Sequence, residues 1–153
     1  MVTLESVNVE KLTPTELLFW GRLGGLQRDP LAPLIMAIAY NETLSGYSFE
    51  SACFVISEDD GHGVMQLTSS WPTDWSNPFA NAEYALAHFI EPAADYWGIR
   101  TQDPTAFVRL VAATFNEGLG AAIRYHLRGN VDAGTTDNYG ARALANYKRI
   151  TAR

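Results

Sequence analysis

The stretch Leu31-Ala32-Pro33-Leu34-Ile35-Met36-Ala37-Ile38-Ala39-Tyr40-Asn41-Glu42-Thr43 decides how this chain is read. Leu31, Leu34, Ile35 and Ile38 recur at helical spacing, and one further step of four along that stripe arrives at Glu42. The helix is expected to begin near Asp29 or Ala32, beside Pro30 and Pro33, and to end at Gly46. A carboxyl on the extension of a core-facing stripe loses part of its water, which raises its pKa because burial penalises the charged form. Glutamates at the ends of amphipathic helices are more often solvated or ion-paired, so position alone gives Glu42 no chemical role.

Working outward from that helix, Thr13-Pro14-Thr15-Glu16 supplies an N-cap, a proline at the first helical position and a capping-box glutamate. Leu17, Trp20 and Leu23 follow until Gly24-Gly25 stops the helix. Residues 1–11 read as a loosely attached N-terminal arm ahead of one domain over residues 12–153. Residues 47–76 break the helical rhythm, and within them only Ala52-Cys53-Phe54-Val55-Ile56 reads as strand-like. Asn77-Pro78 opens a long helix with Phe79, Ala82, Ala85, Leu86 and Phe89 on one face, kinked or split at Pro92 and ending by Gly98. Asp103-Pro104 starts another, whose face of Phe107, Leu110, Val111 and Thr114 has little charge opposite it except Arg109. That is the pattern of a central, nearly enclosed helix. A shorter helix reaches Gly129, and a last one from about Asp137 to Ile150 turns Gly140, Ala143, Leu144, Tyr147 and Ile150 inward. The expected fold class is therefore mainly α, one domain with a small irregular or β insert around residues 47–76.

A chain of 153 residues buries roughly 70% of the surface it exposes unfolded, enough to hold a cleft as a monomer. With 11 Lys+Arg against 17 Asp+Glu the net charge is −6, which argues against nucleic acid or an anionic membrane surface as partner. No run approaches the ~20 apolar residues of a membrane span. The opening Met1-Val2-Thr3-Leu4-Glu5 lacks the basic and apolar regions of a signal peptide. The single cysteine, Cys53, excludes an intramolecular disulfide and reads as a small buried hydrophobe. His62, His88 and His126 lack the spacing of a metal site, and neither a phosphate-binding loop nor a Gly-x-Ser-x-Gly elbow is present, so no metal or cofactor is expected.

A second stretch changes the weight of Glu42. In Asp59-Asp60-Gly61-His62-Gly63-Val64-Met65-Gln66-Leu67, two acids, two close-approach glycines and an amide form a polar loop fit to face the helix end. Cleaving a glycosidic bond needs a proton donated to the leaving oxygen, by an acid kept protonated near neutral pH in an apolar pocket. Glu42 fits that requirement. His62 is a candidate substrate contact, and Trp71 and Trp75 read either as packing residues or as platforms stacking on sugar faces.

Asn41-Glu42-Thr43, Gly63-Val64-Met65-Gln66-Leu67, Ala113-Thr114-Phe115-Asn116-Glu117-Gly118 and Asp132-Ala133-Gly134-Thr135-Thr136-Asp137-Asn138-Tyr139 occur in the order found in goose-type lysozymes. The resemblance spans roughly residues 30–150, and soluble lytic transglycosylases share the first three segments. It implies a lysozyme-like fold and cleavage of the β-1,4 bond between N-acetylmuramic acid and N-acetylglucosamine in peptidoglycan, the glycan strand being the partner. By resemblance Glu42 takes the place of the catalytic acid, with Asp59 or Asp60 positioning water. Met65, Gln66, Asn116 and Tyr139 take the places of residues lining or shaping the sugar cleft. Asn116 also reads as a helix-end cap, and Tyr139 as a core residue with a wet hydroxyl.

The chain departs from the family pattern at three points. Thr68 stands where the family has a second acid, Phe115 where it has a tyrosine and Glu117 where it has a small residue, and Glu58 is a poorer substitute base. The lack of disulfides points to a bacterial or phage-like relative, made in the cytoplasm and reaching the wall by another route such as phage lysis or secretion. A lytic transglycosylase is the nearest alternative activity. A non-catalytic peptidoglycan-binding or virion structural domain is the alternative of another class.

Overall fold

Helix α2, Ala32–Ala39, is buried at every position, and the chain has further helices before and after it. In the computed structural model, which describes residues 2–153, these are α1 (Pro14–Arg22), α3 (Phe49–Phe54), α4 (Pro78–Ala85), α5 (Glu91–Gly98), α6 (Pro104–Glu117), α7 (Leu119–Leu127) and α8 (Tyr139–Thr151). The chain is mainly α, as its periodicity predicts. Helix α8 packs along both α2 and α6, and these three form the centre of the molecule. Both α2 and α6 are enclosed, where the sequence pointed only to α6: Phe107, Val108 and Leu110 through Thr114 are all buried.

Local chemistry explains most of the boundaries. Thr13 accepts from the Glu16 amide at 3.2 Å while the Glu16 carboxylate accepts from the Thr13 amide at 2.9 Å, the expected capping box. The same carboxylate, wholly buried, takes both terminal nitrogens of Arg149 at 2.9 Å and so ties α1 to α8. Asn77 and Asp103 cap α4 and α6, each followed by a proline in the first turn.

Two helical runs contain a π-turn. Tyr40–Leu44 continues α2 with the Ser45 amide reaching back to the Tyr40 carbonyl at 3.2 Å, and Leu86–Ile90 joins α4 to α5. The second break lies just ahead of Pro92, which has no N–H to return to the preceding turn. The residue pattern marks the break at Pro92 but not its π-turn form, and it gives no sign of the π-turn after α2.

The insert differs from its expected form. Ala52, Cys53 and Phe54 belong to a helix rather than a strand, because Ser48 caps α3 through the Ser51 amide at 3.2 Å. What β structure there is consists of isolated antiparallel bridges, Ile56 to His62 and His62 to Leu67. Nor are residues 2–11 loose: the Glu5 amide donates to the Tyr147 hydroxyl at 2.8 Å and the Asn8 amide to the Ile150 carbonyl at 2.7 Å, while Val2, Leu4 and Val7 pack on the core. Met1, first residue of the expected arm, lies outside the described residues. Among the described residues no helix is long and apolar enough to cross a membrane.

Candidate active site

Glu42 sits in the π-turn that extends α2. Its pKa is raised to about 7, first by burial, while the Tyr139 hydroxyl lowers it, the charge of Asp59 raises it and that of Arg142 lowers it. Burial outweighs the Tyr139 hydrogen bond, and the weaker pull of Arg142 comes from a guanidinium that donates to the carbonyls of Asp137 at 2.7 Å and Thr136 at 3.2 Å.

Tyr139, the first residue of α8, is 2% exposed and its hydroxyl donates to Glu42 Oε2 at 2.5 Å. Burial, and then the Glu42 charge, push its pKa well up, so the phenol keeps its proton and acts as a donor. Asn41 addresses the same residue, its amide donating to the Tyr139 carbonyl at 3.1 Å while its oxygen accepts from Asn146 at 2.8 Å. Asn41 and Glu42, consecutive in the π-turn, thus hold Tyr139 at its two ends, one at the backbone carbonyl and the other at the hydroxyl.

The start of α8 is fixed by Asp132. Its buried carboxylate accepts from the amides of Gly140 at 2.6 Å and Ala141 at 3.0 Å, the Thr135 hydroxyl at 3.1 Å and Arg109 Nε at 2.7 Å. A Cβ at position 140 would stand 2.7 Å from the Arg109 carbonyl, which explains the glycine. The segment Asp132 to Tyr139 is thus a mount that aims Tyr139 at Glu42. Asn116 contributes to it, its oxygen accepting from the Thr136 amide at 2.9 Å.

The polar loop is joined to the π-turn by Thr43, whose hydroxyl donates to the Val64 carbonyl at 2.7 Å. Its other support is Asn81, fully buried on α4: the side chain accepts from the Met65 amide at 2.9 Å and donates to the carbonyls of His62 at 3.0 Å and Trp75 at 2.9 Å. Gly63 has φ +74, and a Cβ there would collide with Asn81 and the Trp75 carbonyl at 2.4 and 2.8 Å. Sequence reasoning missed Asn81, for which a polar residue on an otherwise apolar helix face was the signal available, and it named Thr43 only as part of the Asn41-Glu42-Thr43 segment, without this role.

Of the two loop acids only Asp59 acts on Glu42 through its charge, and the Ser57 hydroxyl holds it. Asp60, at φ +65, turns instead toward His62, with its side chain 68% exposed. Glu58 is exposed. Gln66 is half-buried, its amide donating to the Gly63 and Val55 carbonyls at 3.0 and 3.2 Å, and its side chain lines a small hollow with Leu67, Thr68, Phe89 and Phe115.

Two expected substrate contacts are corrected. Met65 has no exposed surface and belongs to the core. His62 is 6% exposed because Trp71 stacks on it at 3.7 Å and Trp75 packs edge-on at 5.0 Å, so these tryptophans meet a protein ring. Among the described residues, no three His, Cys, Asp or Glu side chains converge as a metal site.

No family model and no curated protein matches this chain. The site itself presents one carboxyl able to hold a proton at neutral pH, a phenol donor beside it and a second carboxylate within reach of its field.

Proposed function

We propose that this chain is a peptidoglycan-cleaving muramidase with Glu42 as the proton donor. The observation that carries the reading is the Glu42 carboxyl, lifted to about 7 by burial and held by Tyr139 at the segment pair that resembles the goose-type pattern. Near neutral pH a large share of Glu42 carries its proton, so it can protonate the bridging oxygen as the bond to the anomeric carbon breaks. The carboxylate that results is stabilised by the Tyr139 hydroxyl, an interaction that favours the charged form. Asp59 accepts a proton from the water whose oxygen bonds to the anomeric carbon, and Gln66 and Asn116 border the sugar cleft.

One observation favours a second reading. Asp59 is exposed and tied to Ser57, and Thr68 supplies no further acid, so an intramolecular attack by the muramic acid hydroxyl, needing Glu42 alone, fits the same geometry. Mass spectrometry of digested muropeptides separates the two: reducing ends indicate hydrolysis, 1,6-anhydro ends transglycosylation.

The enzyme reading itself is tested by turbidity clearing of a cell-wall suspension with wild type and Glu42→Gln. Glutamine still accepts the Tyr139 hydrogen bond but has no proton to give, and clearing is expected to fall by about 10²-fold or more. Equal clearing by the two proteins removes Glu42 as the proton donor, and no clearing by either leaves a non-catalytic wall-binding or virion structural role in its place.

A further inference from the structure

A second concave surface lies at the other end of the central helix. It is a groove of about 650 Å³ whose walls include Leu4, Leu31 and Phe107 and whose rim carries Asp29, Glu91 and Asp95. That volume falls in the range of roughly 300–1,000 Å³ typical of ligand sites. The helical run from Leu31 to Glu42 sets it roughly 15 Å from the candidate acid, and none of its lining residues belongs to the candidate active site.

Its charge is one-sided. No lysine, arginine or histidine lines the groove, and among the described residues no cation pairs with Glu91 or Asp95. These two acids are exposed and one helical turn apart on α5, a like-charge spacing that is unfavourable unless a cation lies between them. Four residues further, Ile99 continues the same strip at 81% exposure, a large apolar side chain standing at the mouth of the groove.

We propose that this groove docks a segment of a partner protein in which large apolar side chains alternate with lysine or arginine. The apolar walls take the partner's side chains out of water, and its cations neutralise Asp29, Glu91 and Asp95. Ile99 decides between a peptide and a small organic cation: it lies at the rim, where only an occupant that extends beyond the cavity covers it. The proposal uses no property of the cell-wall site and stands if that reading fails.

The test is fluorescence anisotropy with a labelled ten-residue peptide of alternating lysine and leucine, against the same peptide with glutamate in place of lysine. Saturable binding of the basic peptide alone is expected. Glu91→Lys together with Asp95→Lys should weaken it about tenfold, and Ile99→Ser several-fold. Glu10→Lys together with Glu83→Lys, exposed sites outside the groove, should leave it within about twofold. No saturable binding, equal weakening by the two charge-reversed pairs, or indifference to Ile99→Ser overturns the proposal. So does a single phenethylamine molecule that binds as tightly as the peptide, since that places a small cation in the groove.

Discussion

The Tyr139 hydroxyl has two opposed effects on Glu42: it holds the carboxyl in place and makes it a stronger acid than burial alone would. Removing it in Tyr139→Phe leaves burial and the Asp59 charge unopposed by that bond, so the Glu42 pKa should rise above about 7. A proton donor works while protonated, and activity is lost as pH climbs through its pKa. The alkaline limb of the clearing-rate profile should therefore move to higher pH in Tyr139→Phe, while the plateau falls about tenfold because the resulting carboxylate has lost its donor. Arg142→Gln should move the same limb upward, since Arg142 also lowers the Glu42 pKa, and Asp59→Asn should move it downward. A pH–rate profile of the three variants checks the set. A limb that stays put in all three would mean that a different group donates the proton.

At the scale of elements, what was legible in the sequence is what local chemistry decides. Thr13-Pro14-Thr15-Glu16, Asn77-Pro78 and Asp103-Pro104 announce helix starts because each cap is satisfied within a few residues. The strand-like look of Ala52-Cys53-Phe54-Val55-Ile56 fails because the Ser48 cap and the burial of Ala52 and Cys53 outweigh β propensity. The π-turn at Glu42 has no residue signature, since an i+5 bond, like an i+4 bond, joins backbone groups and demands no particular side chain, and so the spacing found Glu42 but not the turn that carries it. Met65 and His62 looked like cleft residues because a glycine-rich loop reads as surface, whereas Asn81 draws that loop inward by three hydrogen bonds from another helix. Most consequential for the site is the start of α8, where Asp132 gathers two amides, a hydroxyl and a guanidinium. Asp132→Asn replaces an acceptor with an amide donor facing those donors, and should cost roughly 2–4 kcal/mol in chemical denaturation. Because Tyr139 is the residue this mount aims, clearing should fall in folded Asp132→Asn as well. Full activity in the variant would detach the mount from the chemistry.

Across the molecule as a whole, burial holds two carboxyls near neutrality among the described residues, and one of them, Glu42, belongs to the candidate site. Glu117, at the end of α6, has both carboxyl oxygens shut off from solvent with no hydrogen-bond partner, and its pKa is raised to about 7, by burial first and then by Asp132, with Arg124 opposing. Like Glu42, it keeps its proton in the folded state up to about pH 7, whereas in the unfolded chain it releases it near the ordinary glutamate value of 4.5. Between those two values the native state binds more protons than the unfolded one, so unfolding free energy falls as pH rises, and above about 7 the contribution is flat. The stabilisation from Glu42 and Glu117 is thus complete at the acid end of this window and absent at its alkaline end, the reverse of an ion-paired carboxylate. Urea denaturation should show the wild type more stable at pH 5.5 than at pH 8. Glu117→Gln should raise stability at pH 8 and flatten the slope, and Glu42→Gln should do the same by an order of 1–3 kcal/mol while abolishing clearing. The pair of variants separates the two roles: Glu117→Gln at pH 8 gains stability without touching the Tyr139 to Glu42 contact, so its clearing rate should match wild type. A wild-type stability that climbs from pH 5.5 to pH 8, or a Glu117→Gln protein less stable than wild type at pH 8, would show that these carboxyls are ionised and paired in the native state, and would remove the physical basis for Glu42 as a proton donor.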